Sequence, residues 1–75
     1  MFYNKSTASE KSTDKVLIPD LNYRSAPSMS GRVKGQTGKG IFTIVATRFG
    51  QGSKAGWGKL KSGAGWISLD YCKRV

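Results

Sequence analysis

The chain has no histidine, a single cysteine, only two prolines and only four acidic residues. Each shortage excludes something. Without histidine there is no Ser-His-Asp triad and no Cys-His dyad, and a Cys- or His-rich metal centre cannot be assembled. One cysteine, Cys72, cannot form an internal disulfide, and is expected to serve as a small apolar residue at a strand end. Oxidising conditions would still let it cross-link two chains. No stretch approaches the roughly 20 apolar residues that a membrane-spanning helix needs. The first fourteen residues lack the apolar core of a signal peptide, so the chain is expected to be made in the cytoplasm without one. Asp20 and Asp70 are the only central acids. They lie far apart in sequence and outside any acidic cluster, and are expected to be solvated turn residues. No catalytic constellation remains, so a binding module without cofactor or metal is expected rather than an enzyme.

What the chain has in abundance is positive charge and glycine. Thirteen Lys and Arg against four Asp and Glu give a formal net charge of +9. All but one unit of that excess falls on residues 16–75, so the folded part is itself basic. Such a field favours polyanionic partners: nucleic acid, anionic lipid or the polymers of a cell wall. Ten glycines in 75 residues suit short strands and tight turns better than a helical bundle. A chain of this length holds one domain.

Residues Asn4 to Lys15 are almost wholly polar and read as a flexible linker or tail spanning 1–15, with Met1-Phe2-Tyr3 as a short apolar knot ahead of it. The folded unit is expected over 16–75. Val16-Leu17-Ile18 is a brief apolar run, and Leu21 and Tyr23 alternate with Asn22 and Arg24 before Ala26-Pro27-Ser28 turns the chain. A brief extended stretch covers 31–36, and Ile41 to Thr47 is rich in β-branched residues. Gly50 to Gly56 reads as a loop. The next segment reads as a hairpin turning at Ser62-Gly63, which pairs Lys59 with Trp66, Gly58 with Ile67 and Trp57 with Ser68. One face then collects Gly58, Leu60, Gly65 and Ile67. The other collects Trp57, Lys59, Lys61, Trp66 and Ser68, aromatic and basic together. An exposed face of that kind can stack on a sugar, a base or a planar peptide while holding an anion. The favoured expectation for at least one tryptophan is that it is covered by the 16–24 segment or the 48–56 loop.

Two runs carry a family resemblance: Leu21-Asn22-Tyr23-Arg24-Ser25-Ala26-Pro27-Ser28, and Gly56-Trp57 through Lys59-Leu60, Gly63, Gly65-Trp66-Ile67 and Tyr71-Cys72. In order and spacing they resemble the bacterial SH3 (SH3b) domain, over roughly Val16 to Cys72. Tyr23, Ala26 and Cys72 depart from the family's usual aliphatic, glycine and leucine. Gly58 takes a place often filled by a larger residue, which leaves room for Tyr23. The resemblance implies an all-β, SH3-like barrel of five to seven short strands that binds peptidoglycan or teichoic acid. It also implies a partner: the catalytic domain of a peptidoglycan hydrolase, such as a phage endolysin or an autolysin, which the module anchors at the bacterial cell wall. On that reading the 1–15 segment resembles the linker to such an enzyme, with Met1 as an internal start.

The expected ligand contacts are Tyr23, Arg48, Phe49, Trp57, Lys59, Lys61, Trp66 and Tyr71. Arg24 is expected to pin a turn, and Asn22 to bond backbone. A basic small barrel binding single-stranded nucleic acid is the alternative. A proline-rich-peptide reader ranks last, because it needs acids beside its aromatic groove. The oligomeric expectation is a monomer or a weak homodimer.

Overall fold

The computed structural model describes residues 12–75, and the apolar knot and most of the polar linker segment lie outside them. The described chain is all-β, with seven strands and no α-helix. The strands are β1 (Ser12–Val16), β2 (Asn22–Arg24), β3 (Val33–Gln36), β4 (Gly40–Gly50), β5 (Ser53–Leu60), β6 (Trp66–Ser68) and β7 (Cys72–Arg74), with one 3-10 turn at Leu69–Tyr71 between the last two. All pair antiparallel in one sheet of order β3-β2-β6-β5-β4-β1-β7. The sheet is not closed: β3 and β7 remain its two edges.

β1 already begins at Ser12, four residues ahead of the expected start of the folded unit. Thr13 and Lys15 face outward while Asp14 and Val16 are buried, so the period of two runs through a segment whose composition is polar. β4 is also longer than its β-branched centre suggests. It continues to Gly50, and β5 starts at Ser53, so the expected 50–56 loop is a tight turn between paired strands. Two register shifts, between Ile44 and Ala46 and between Arg48 and Gly50, interrupt the β4–β5 ladder. Such irregularities raise local twist and bend the strand. The first half of β4 pairs with β1 and the second with β5, with Ile44 opposite both Ser12 and Leu60.

Ile44 is accordingly central to the core, together with Val16, Leu21, Leu60 and Ile67. Ile18, Tyr23, Phe42, Leu69 and Cys72 pack around them. The hairpin register matches the expectation: Lys59 opposes Trp66, Gly58 opposes Ile67 and Trp57 opposes Ser68. Its loop is four residues rather than two. The Gly63 N–H donates to the Leu60 carbonyl at 3.0 Å, and Gly63 adopts φ 82°, a conformation that disfavours any side chain. Both loop lengths preserve the same pairing, which is why the register was readable.

The expected home of Tyr23 is corrected. A Cβ on Gly58 would lie 2.8 Å from Leu69 Cδ2 and 2.9 Å from Ile44 Cγ2, so aliphatic core fills that gap. The Tyr23 ring instead lies over Gly35, where a Cβ would sit 2.6 Å from its hydroxyl oxygen.

Candidate functional site

Residues from both halves of the chain line a cleft of about 260 Å³. Ile18, Asp20 and Leu21, leading into β2, line it together with Met29 and Gly52. Tyr71, 48% exposed, stands at the 3-10 turn. Trp57 contributes to the floor but is only 1% exposed.

The cleft is shaped by a chain of backbone-directed hydrogen bonds. Arg24 Nη1 donates to the carbonyls of Met29 (3.0 Å) and Gly31 (2.9 Å), which holds the Pro27–Gly31 turn against β2. Arg24 is therefore the turn-pinning residue expected of it. Asn22 differs from expectation, since its Oδ1 accepts from the Gln36 side chain at 3.3 Å. The turn in turn meets the β4–β5 hairpin. The Gln51 carbonyl accepts from the Met29 N–H at 3.0 Å and from Trp57 Nε1 at 3.2 Å. One carbonyl thus ties the turn, the hairpin tip and the indole together.

The far end is fixed by Asp70. Its carboxylate accepts from the backbone N–H groups of Ala55 (2.7 Å) and Lys54 (3.1 Å). These bonds, Ala55 foremost, hold its pKa below the ordinary carboxylate value. Asp70 is thus the exposed turn residue expected, and in addition a latch between the 3-10 turn and β5. Because its folded pKa is lowered, its stabilisation is full above the unfolded value near 3.8 and is lost as pH falls through the folded value. Asp70→Asn should lower the melting temperature at pH 7, and the gap to wild type should close on acidification. Thermal melts of both proteins between pH 7 and 2 check this; a gap independent of pH would remove the carboxylate from the explanation.

The eight expected contact residues separate into groups. Trp57 and Tyr71 meet at the cleft, but only Tyr71 offers a face to a ligand. Trp57 is corrected from contact to floor, because the hairpin tip at Gly50 and Gln51 lies against it, as expected of the 48–56 segment for one of the two tryptophans. Tyr23 is half-buried, with its ring packed against the core and over Gly35. Lys59 is exposed and half-buried Trp66 lies opposite it, with Arg24 paired to Trp66 on the other side. In-register neighbours share a face of the sheet. Arg48 pairs with Trp57 at the β4–β5 hairpin, with its Nη1 donating to the Thr47 carbonyl at 3.0 Å. Phe49 beside it is 85% exposed. Lys61 is displaced from the cleft and lines a second, smaller depression of about 170 Å³ with Ile41 and Phe42.

Sequence reasoning missed Asp20, Ile18 and Met29 as cleft residues. The available signal was the Pro19-Asp20 step directly before Leu21-Asn22-Tyr23-Arg24, which favours a turn at the mouth of β2. Cys72 is half-buried, its Sγ 3.6 Å from the Ser68 carbonyl. Burial first, and the Asp14 charge second, push its thiol up to about 11, so it stays protonated at neutral pH and is a poor partner for disulfide exchange. Among the described residues no group of three or more His, Cys, Asp or Glu is placed to hold a metal ion, and no helix is long and apolar enough to cross a membrane. Comparison with protein families, with curated proteins and with solved structures gives no match.

Proposed function

We propose that this domain is a non-catalytic targeting module that binds peptidoglycan or an associated wall polymer and anchors a peptidoglycan hydrolase. One observation carries the reading. Asn22 and Arg24 from the first motif run and Trp57 and Tyr71 from the second, some 35 residues on, converge on a single cleft. The resemblance of those runs to SH3b domains supplies the ligand class. Next to the cleft, Lys59, Trp66 and Arg24 form a cation–aromatic–cation row suited to a polymer bearing both rings and negative charge.

The deciding test is retention of the labelled domain on purified Gram-positive walls, before and after acid extraction of teichoic acids, with single-stranded DNA as competitor. Retention on extracted walls supports peptidoglycan, and loss on extraction moves the ligand to teichoic acid. Lys59→Ala should weaken retention several-fold and flatten its salt dependence, with Lys61→Ala the milder because that residue stands apart from the cleft. Unchanged retention in both variants would remove the basic row from the reading.

A second reading, a small barrel binding single-stranded nucleic acid, is favoured by charge. Residues 12–75 hold eleven Lys and Arg against three Asp. Exposed Phe49 beside Arg48 offers a ring face of the kind on which bases stack. Tight DNA binding with no wall retention would select it.

A further inference from the structure

The cleft differs in electrostatic character from the surface around it. Of the three acids in the described chain, Asp14 is buried and accepts from Ser12 Oγ at 2.8 Å, and Asp70 is occupied by the N–H groups of Lys54 and Ala55. Asp20 is exposed, and it lines the cleft. The same cleft is lined by the apolar residues Ile18, Leu21 and Met29 and by the aromatic Tyr71. Arg24 is the one cation among the lining residues, and its Nη1 is already engaged by the carbonyls of Met29 and Gly31. A guanidinium carries five N–H donors, so Arg24 retains others for a ligand carbonyl.

At about 260 Å³ the cleft lies just below the range of about 300–1,000 Å³ usual for small-molecule sites. It admits a short piece of chain with small side chains rather than a folded partner. A carboxylate beside an aromatic ring is the pairing that recognises an ammonium group. We propose that the cleft takes the free primary-amine end of a short peptide, with its ammonium against Asp20 and Tyr71, its carbonyls within reach of Arg24, and its small residues over the floor that Trp57 closes. This rests on the wall-binding reading and names the part of the wall recognised: amine-bearing peptide, not glycan and not phosphodiester. The basic exterior then supplies attraction to the wall, and the cleft supplies the selection.

The two contributions respond oppositely to the same manipulations, which makes the proposal testable. N-acetylating the amines of teichoic-acid-free walls with acetic anhydride removes positive charge from the wall. Asp20→Asn removes one negative charge from the domain. For binding by net charge alone, both changes hold or tighten the complex. For an ammonium read by Asp20, both loosen it. Binding isotherms should show wild type about tenfold weaker on acetylated than on native walls, the loss expected for one charge-assisted contact. Asp20→Asn should be about tenfold weaker on native walls and insensitive to acetylation, with an unchanged melting temperature showing that it folds. Equal or tighter binding after acetylation, or an Asp20→Asn variant that binds as wild type, overturns the inference. Absence of wall binding altogether would instead remove the targeting reading. The cleft is then judged by NMR titration with trialanine and N-acetyl-trialanine. Shifts at Asp20 and Tyr71 with the free amine alone uphold it, and no difference between the peptides overturns it.

Discussion

Trp57→Ala is expected to unfold much of the population rather than merely weaken binding. Trp57 is the largest of the fully buried side chains, and its Nε1 donates to the Gln51 carbonyl. Truncating a buried tryptophan typically costs on the order of 3–5 kcal/mol. A domain this small has a stability near the low end of the usual ~5–15 kcal/mol, so the loss consumes most of it. Trp57→Phe retains most of the apolar area and forfeits one hydrogen bond, for a cost of about 1–2 kcal/mol. Urea denaturation followed by circular dichroism ranks the three proteins. Trp66→Ala, which removes a half-exposed ring, should retain the fold. A Trp57→Ala protein as stable as wild type but unable to bind would instead make the indole a ligand contact.

Gly50→Ala is expected to have the next largest effect, although it adds only one methyl group. A Cβ at that position would sit 2.0 Å from the Pro27 carbonyl oxygen and 3.2 Å from Trp57 Cδ1. The nearer obstacle is backbone and cannot rotate away. Either the hairpin tip lifts from the Pro27–Gly31 turn, breaking the contacts of Gln51 with Met29 and Trp57, or the turn itself moves. Overpacking of this kind costs typically about 1–3 kcal/mol, and the rigid partner puts Gly50→Ala at the upper end. Acrylamide quenching of tryptophan fluorescence distinguishes the two responses, because lifting the tip exposes the indole of Trp57 while a rigid shift does not. A variant with wild-type stability and quenching would mean that the hairpin tip does not dock on the turn.

Much of the fold was legible because backbone pairing leaves periodic traces in sequence. The Ser62-Gly63 step set the hairpin register, and alternation around it correctly assigned Gly58, Leu60 and Ile67 to the buried side. The same alternation assigned Trp57 and Ser68 to the outer side, yet both are buried. Alternation reports which face of a sheet a residue is on, and says nothing of what later folds over that face. Here the β4–β5 tip and the Pro27–Gly31 turn do so, through contacts between segments more than twenty residues apart. The boundaries of β1 and β5 were missed for another reason. Ser12 to Lys15 and Ser53 to Gly56 hold few apolar residues, and their strands are held by ladder hydrogen bonds that any side chain permits. The candidate cleft was half legible: Tyr71 and the turn-pinning Arg24 stand out in the motifs, whereas Asp20 acquires meaning only from its surroundings.

The two outermost strands in sequence, β1 and β7, lie side by side and antiparallel, with Asp14 opposite Arg74 and the Val75 N–H donating to the Thr13 carbonyl at 2.9 Å. Under mechanical tension this arrangement has a direction. A pull that separates Ser12 from Arg74 loads the β1–β7 hydrogen bonds one pair at a time, so the sheet opens at that edge like a zip under little force. A pull between Ser12 and a ligand held in the cleft is not borne by those pairs one after another; it passes into β4, whose ladder with β1 runs from Ile44 to Gly40. A tether carrying load from one strand end to the cleft is therefore resisted by more of the sheet than the same load applied end to end.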